Sequence, residues 1–161
     1  MYRTKKIFLL EYIDYYGFDE TDGENIESRN IIGYFTTQEK LNAAKEMCLQ
    51  DEISEKDLYV TEYNIKAGAN QKFVYLLNYE YSIKVNDEYT DYYYYFEPQA
   101  NAKQCNEQKK QLLKESKYKK TPEKIYYDSP DGFYIDKIKL DYVAHIGYAV
   151  PISSKNTLKN K

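Results

Sequence analysis

One histidine, two cysteines far apart in the chain and two arginines leave this sequence of 161 residues poor in the side chains that chemistry usually needs. An enzyme requires a nucleophile, an acid/base pair or a metal site gathered in a cleft. His145 lies in an apolar segment near the end, with no cysteine or carboxylate at a telling spacing, and reads as a packed or surface residue. The same count argues against zinc, because the chain offers only two separated cysteines, Cys48 and Cys105, and the single His145. Tyrosine hydroxyls are abundant, but with an ordinary pKa of roughly 10 they are weak acids unless a site tunes them. We therefore expect no enzyme, no cofactor and no metal.

Long apolar runs are missing as well. The opening Met1-Tyr2-Arg3-Thr4-Lys5-Lys6-Ile7-Phe8-Leu9-Leu10 has a basic flank, but its apolar core stops at Glu11 and lacks a small-residue cleavage site. No stretch approaches the roughly 18 apolar residues of a membrane span. Cys48 and Cys105 read as free, half-buried thiols of a reducing compartment, so the expected location is the cytoplasm.

What is present in excess is tyrosine, 21 residues, and lysine, which outnumbers arginine 21 to 2. Both are encoded by A/T-rich codons, so an AT-rich bacterial genome accounts for much of the excess before any functional argument begins. Hydrophobic residues at 42% and charged residues at 30% are the proportions of a globular chain.

The stretch Tyr92-Tyr93-Tyr94-Tyr95-Phe96-Glu97-Pro98-Gln99 stands out until it is laid beside Ile31-Ile32-Gly33-Tyr34-Phe35-Thr36-Thr37-Gln38. Each reads as an apolar strand, a Tyr-Phe pair, two small, polar or proline residues, Gln, and then a helical pattern. The echo extends outward. Ile7 to Tyr16 predicts a strand with two apolar faces, and Phe73 to Tyr81 matches it, Val74-Tyr75-Leu76-Leu77-Asn78-Tyr79 lying over Ile7-Phe8-Leu9-Leu10-Glu11-Tyr12. Gly17 to Asn30 and Lys84 to Asp91 read as polar hairpin loops. In the first of these, Asp19, Thr21 and Gly23 fail as a calcium loop, because the third alternate position is the glycine itself. Thr36 or Thr37 can cap a helix, Thr36-x-x-Glu39 matching a capping box, with Leu41, Ala44, Met47 and Cys48 on one face. In the second copy Pro98 is placed in the first helical turn of a helix over Gln99 to Ser116, with Ala102, Cys105 and Leu112 facing in.

The closing strands read Leu58-x-Val60-x-x-Tyr63-x-Ile65 and Phe133-x-Ile135-x-x-Ile138-x-Leu140. Apolar alternation slips by one residue in both, which exchanges the faces of a strand and predicts an irregularity at Thr61-Glu62 and at Asp136-Lys137.

The second unit, with Tyr75-x-Leu77, Tyr95-Phe96 and Asp131-Gly132-Phe133-Tyr134-Ile135 followed by His145-Ile146-Gly147-Tyr148, resembles small bacterial ββαβ domains of unknown function. The first fits more loosely, with Lys56-Asp57-Leu58 in place of Asp-Gly-Phe. The resemblance implies the fold, as a tandem pair, and brings no activity with it.

The expected fold class is therefore α+β. It consists of two ββαβ repeats, each a three-stranded antiparallel sheet with one helix, related by a pseudo-two-fold axis. The first repeat covers residues 1–66, a linker 67–72, the second repeat 73–141, an extra strand or packing arm 142–152, and a frayed tail 153–161. Charge divides unevenly: residues 1–70 carry a net -6 and residues 71–161 a net +3, giving -3 overall. Lys103, Lys110, Lys114, Lys117, Lys119 and Lys120 form a candidate basic patch on the second helix and its exit. Aromatic strands beside such a patch suggest single-stranded nucleic acid, but the scarcity of arginine for base-edge readout and the overall acidity argue against it. The favoured expectation is a non-enzymatic protein-interaction module that contacts a protein partner or a second copy. A toxin-immunity-type inhibitor is its sharper form. Two helices cannot easily cover both faces of six apolar strands, so the remaining face must meet the other repeat, a twin subunit or a protein partner, and tyrosine is enriched at interfaces. Tyr92, Tyr93 and Tyr94 replace Ile31, Ile32 and Gly33 of the first copy and are the candidate contact surface.

Overall fold

The computed structural model describes residues 3–19, 24–51, 53–85, 87–115, 118, 132–145 and 148–151. Within them, the side chains of residues 14–19, 24–29, 81–85, 88–93, 144, 145 and 148–151 lie outside the description. The chain is α+β: strands β1 (Arg3–Asp19) and β2 (Glu24–Phe35), helix α1 (Gln38–Gln50), and strands β3 (Leu58–Ala67), β4 (Phe73–Val85) and β5 (Glu88–Tyr95). Helix α2 (Ala102–Leu112) and strands β6 (Phe133–Lys139), β7 (Tyr142–His145) and β8 (Tyr148–Pro151) follow. Two antiparallel three-stranded sheets result, ordered β2-β1-β3 and β5-β4-β6, with β7 and β8 as a separate hairpin. In each sheet the first strand is central, and the helix stands in sequence between the second strand and the third.

The chain forms two compact units, one of residues 1–3 and 65–138, the other of residues 4–64 and 139–161. The segment after β6, where the sequence suggested an extra strand or a packing arm over 142–152, groups with the first sheet. It is a hairpin, in which Tyr142 pairs with Pro151 and His145 with Tyr148.

Central position explains the two apolar faces. On β1, Ile7, Leu9 and Ile13 are buried on one face, and Phe8 and Leu10 on the other. On β4, Val74, Leu76 and Asn78 alternate with Leu77 and Tyr79, all at most 1% exposed. Both faces of both central strands are therefore closed within a single chain.

Helix α1 packs on the first sheet through Leu41, Ala43, Ala44 and Cys48, which meet Phe8, Leu10, Ile32, Phe35 and Val143. Its N-cap is Thr37, whose hydroxyl accepts the Lys40 N–H at 3.2 Å, so Thr36 is left for another task. Helix α2 begins later than its sequence match. Asn101 caps it by accepting the Gln104 N–H at 2.9 Å, and the Gln104 side chain accepts the Ala100 N–H at 2.9 Å. Pro98 precedes this helix in an extended stretch where Gln99 and Tyr75 exchange backbone hydrogen bonds of 2.8 and 2.9 Å. A proline suits an extended segment as well as a first turn, and the Asn cap decided the outcome. Ala102 is consequently exposed, while Cys105 is buried against Leu77, Tyr79, Tyr118 and Phe133.

The hairpins are longer than their polar sequences suggest. The β1–β2 ladder runs to Asp19 opposite Glu24, and the β4–β5 ladder to Val85 opposite Glu88, with Asp87 in the left-handed region at φ 65°. Asp tolerates that region in a two-residue turn. The ladders also differ. The first has irregularities between Leu10 and Glu11 and between Tyr15 and Gly17, whereas the second is unbroken. Tyr34 lies opposite Leu9, but Tyr95 lies opposite Asn78, the match of Glu11. The Tyr-Phe pair has thus moved two residues along the central strand, a shift that keeps every face.

Among the closing strands, β6 exposes Asp136 and Lys137 in succession, at the expected place. In β3 the succession falls at Tyr59 and Val60, not at Thr61-Glu62, so Thr61, Tyr63, Ile65 and Ala67 form the inner row.

Candidate interaction surface

The tyrosine run occupies β5, the outer strand of the second sheet, where Tyr92 pairs with Tyr81, Tyr93 with Glu80 and Tyr94 with Tyr79. Tyr94 is 46% exposed, the most exposed large hydrophobic side chain among the described residues. Its ring stacks on that of the fully buried Tyr79, centroids 6.4 Å apart and planes at 17°. Tyr79 in turn packs on Phe133 at 4.6 Å and edge-on to Tyr118 at 5.3 Å. Tyr94 therefore continues the aromatic core of this unit out to the rim of its sheet. The rings of Tyr92 and Tyr93 fall outside the described residues; their backbone places them on opposite faces, with Tyr92 on that of Tyr94.

Lys103, Lys110 and Lys114 are exposed on α2 or its exit. Their spacings of seven and four put them in one row on the helix, which also contains the exposed Glu107. An acid within the row weakens it as a phosphate-tracking surface. Lys109 turns inward, its ammonium 5.5 Å from the Phe133 ring centre. Lys117, Lys119 and Lys120 lie outside the described residues.

Three features had no sequence pattern to announce them. Asp141, in the left-handed region at φ 63°, follows β6 and places its carboxylate at the start of α1. It accepts the Thr36 N–H at 2.8 Å, the Thr36 hydroxyl at 2.9 Å and the Lys40 ammonium at 3.1 Å. A carboxylate on the N–H groups before a helix is favoured by the positive end of the helix dipole. The Asp141 N–H meanwhile donates to the Tyr34 carbonyl at 2.9 Å. Gly33 is required beside this clasp, because a Cβ there would collide with the Tyr142 carbonyl and come within 2.8 Å of Phe35 Cζ.

The second feature is polar. The buried Asn78 amide donates to the Asp136 carboxylate at 3.0 Å and to the Leu76 carbonyl at 3.1 Å. Desolvation pushes the Asp136 carboxyl above its ordinary value, and the Asn78 hydrogen bond opposes that rise. Nearby the Tyr134 hydroxyl donates to Glu80 at 3.3 Å. The Gly132 carbonyl, presented by a backbone at φ 82°, accepts the Glu80 N–H at 2.9 Å. The third is Tyr118, a single buried ring against Phe96 at 5.6 Å and Tyr79.

Neither cysteine is poised for chemistry. Burial pushes the Cys48 thiol up to about 11, with the Asp51 charge adding to it, and burial alone pushes Cys105 up to about 11. Among the described residues no group of three or more His, Cys, Asp or Glu could hold a metal ion, and no helix is long and apolar enough to cross a membrane. Comparison with protein-family models, curated proteins and solved structures finds no match for this chain.

Proposed function

We propose that this chain is a non-enzymatic protein-interaction module whose contact surface lies at the β5 rim. The observation that carries the reading is Tyr94, 46% exposed on the outer strand of a sheet whose central strand is buried on both faces. With those faces closed, contact falls to the rim, and a half-exposed tyrosine backed by a rigid aromatic stack is the side chain interfaces favour. Its stack costs little ordering entropy on binding, because Tyr79 already holds the ring on one side. We read the common strand order of the two sheets as a ββαβ duplication in which the first copy was closed by Asp141 and the second left its rim for binding.

The test is capture from a lysate of the host by immobilised wild-type protein, by Tyr94→Asp and by Lys110→Glu/Lys114→Glu. We expect a retained protein to be lost with Tyr94→Asp and kept with the lysine variant. Retention unchanged by Tyr94→Asp would refute the β5 rim as the contact surface, and loss with the lysine variant alone would move the surface to α2.

A further inference from the structure

We propose that β5 pairs antiparallel with β5 of a second copy, joining two β5-β4-β6 sheets into one six-stranded sheet. The proposal rests on the reading of the β5 rim as a contact surface and names its partner. Three observations lead to it.

The strand is built as an open edge. Its eight-pair ladder with β4 is unbroken from Val85–Glu88 to Asn78–Tyr95, it contains no proline, and among the described residues β4 is its one sheet neighbour. Natural edges are commonly blunted by bulges, prolines, charged side chains or a covering segment, and of these β5 has, among the described residues, only the charges of Glu88 and Asp91. The corresponding strand β2 has such protection: two irregularities in its ladder, and β7 packed against it. The contrast lies within one chain, between two sheets of the same strand order.

The backbone phase is known. The Phe96 N–H donates to the Leu77 carbonyl at 3.1 Å. In an antiparallel pair the residues that bond inward alternate with those that face away. Phe96, Tyr94, Tyr92 and Thr90 therefore bond toward β4, and the N–H and C=O groups of Tyr93, Asp91 and Tyr89 point to the outer edge.

Strand overlap and charge together select the register: axes on Thr90 or Tyr93 would pair only residues 88–92 or 91–95 of β5, whereas axes on Asp91 or Tyr92 pair nearly its whole length. The strand carries two acids, Glu88 and Asp91. With Tyr92 on the two-fold axis, Asp91 faces Tyr93 of the second copy, Thr90 faces Tyr94, and Glu88 faces Phe96. The outward groups of Asp91 and Tyr93 meet in phase, and within β5 no like charges stand opposite; Asp87 and Glu97, which would face each other, lie beyond the ends of the strand. A shift that puts Asp91 on the axis would set two carboxylates face to face, which is unfavourable. The arrangement is isologous and closes as a dimer, so it does not propagate into a filament.

The experiment is light scattering on the full chain across a concentration series, with circular dichroism and urea unfolding as folding controls. Wild-type protein should pass from monomer to dimer mass as concentration rises. Tyr93→Asp sets a new carboxylate against Asp91 of the second copy, twice over by symmetry, and should weaken the dimer about tenfold. Asp91→Lys added to that variant should restore it. Tyr93→Pro, which removes an outward N–H and no β4 bond, should abolish dimer formation without relying on charge. A wild-type chain that stays monomeric at hundreds of micromolar overturns the pairing. So does a folded Tyr93→Asp variant that dimerises like the wild type, or a double variant that fails to recover. If the monomer still captures a host protein through Tyr94, the interaction reading survives and only the choice of partner falls.

Discussion

Removing the Asp141 carboxylate should unfasten the C-terminal hairpin from the first sheet, and the structure allows the cost of Asp141→Ala to be worked out. The carboxylate makes two charge-assisted hydrogen bonds to Thr36, at 2.8 and 2.9 Å. Such bonds contribute about 1.5–3 kcal/mol each, and the lower value for both gives about 3 kcal/mol. The Lys40 contact at 3.1 Å is partly exposed on the lysine side and adds about 0–1 kcal/mol. The helix dipole adds about 0.3–1 kcal/mol. Alanine must further hold the left-handed φ of 63°, at about 1 kcal/mol. Together these place Asp141→Ala at about 4–6 kcal/mol of destabilisation. Asp141→Asn keeps an acceptor and tolerates the backbone, so it should lose only about 1–2 kcal/mol. Urea unfolding followed by circular dichroism measures both. Thr36→Val, which removes the hydroxyl and keeps the N–H, completes a cycle with an expected coupling of about 1 kcal/mol. An Asp141→Ala variant within about 0.5 kcal/mol of wild type, or strict additivity with Thr36→Val, would show that the carboxylate does not hold the clasp.

Two further outcomes follow from titrating groups. Asp136 has a folded pKa above its unfolded one, so the folded state binds its proton more tightly. Its contribution is therefore fully favourable below the ordinary carboxylate value and is lost as pH rises through the raised one. The stability of wild type relative to Asp136→Asn should fall as pH rises from about 3 toward neutrality; a relative gain over that range would mean that the Asn78 hydrogen bond outweighs desolvation. For the thiols, raised to about 11, alkylation by iodoacetamide near neutral pH should be slow in the native protein and rise sharply in denaturant. Rapid labelling of either cysteine in the folded chain would contradict its burial.

Much of the architecture was legible because it rests on period and punctuation. The two-faced strands β1 and β4, the inner face of α1 and the slip in β6 all follow from which positions are apolar. The errors have a common cause in features that period does not record. Gly17 to Asn30 and Lys84 to Asp91 are polar, yet mostly strand, because a backbone ladder pairs regardless of side-chain polarity once the turn sets it. Helix α2 starts at Ala102 because Asn101 and Gln104 satisfy its first N–H groups, a local competition that the Tyr-Phe echo concealed. Asp141 and Tyr118 act singly, at a distance in sequence from much of what they touch, and a single residue has no periodicity to read.

The candidate site shows the same division from the other side. A tyrosine run was visible at once, but exposure is a property of neighbours, and comparing the copies could assign the contact surface only to three rings together. What distinguishes the two sheets is their ends rather than their strands. Gly33 sits where the clasp passes, and its missing Cβ makes room for the Tyr142 carbonyl; Tyr94, which aligns with it in sequence, projects a ring instead. A glycine is the residue for close backbone approach, and a tyrosine forbids it while offering area and a hydroxyl. One sheet has thus kept its rim for a segment of its own chain. The other carries an exposed ring at the aligned position, so the contact we propose for it would be made either by pairing along the strand edge or through that ring. The substitution Tyr94→Gly therefore separates these two modes: edge pairing of the backbone should survive it, and any contact made through the ring should not.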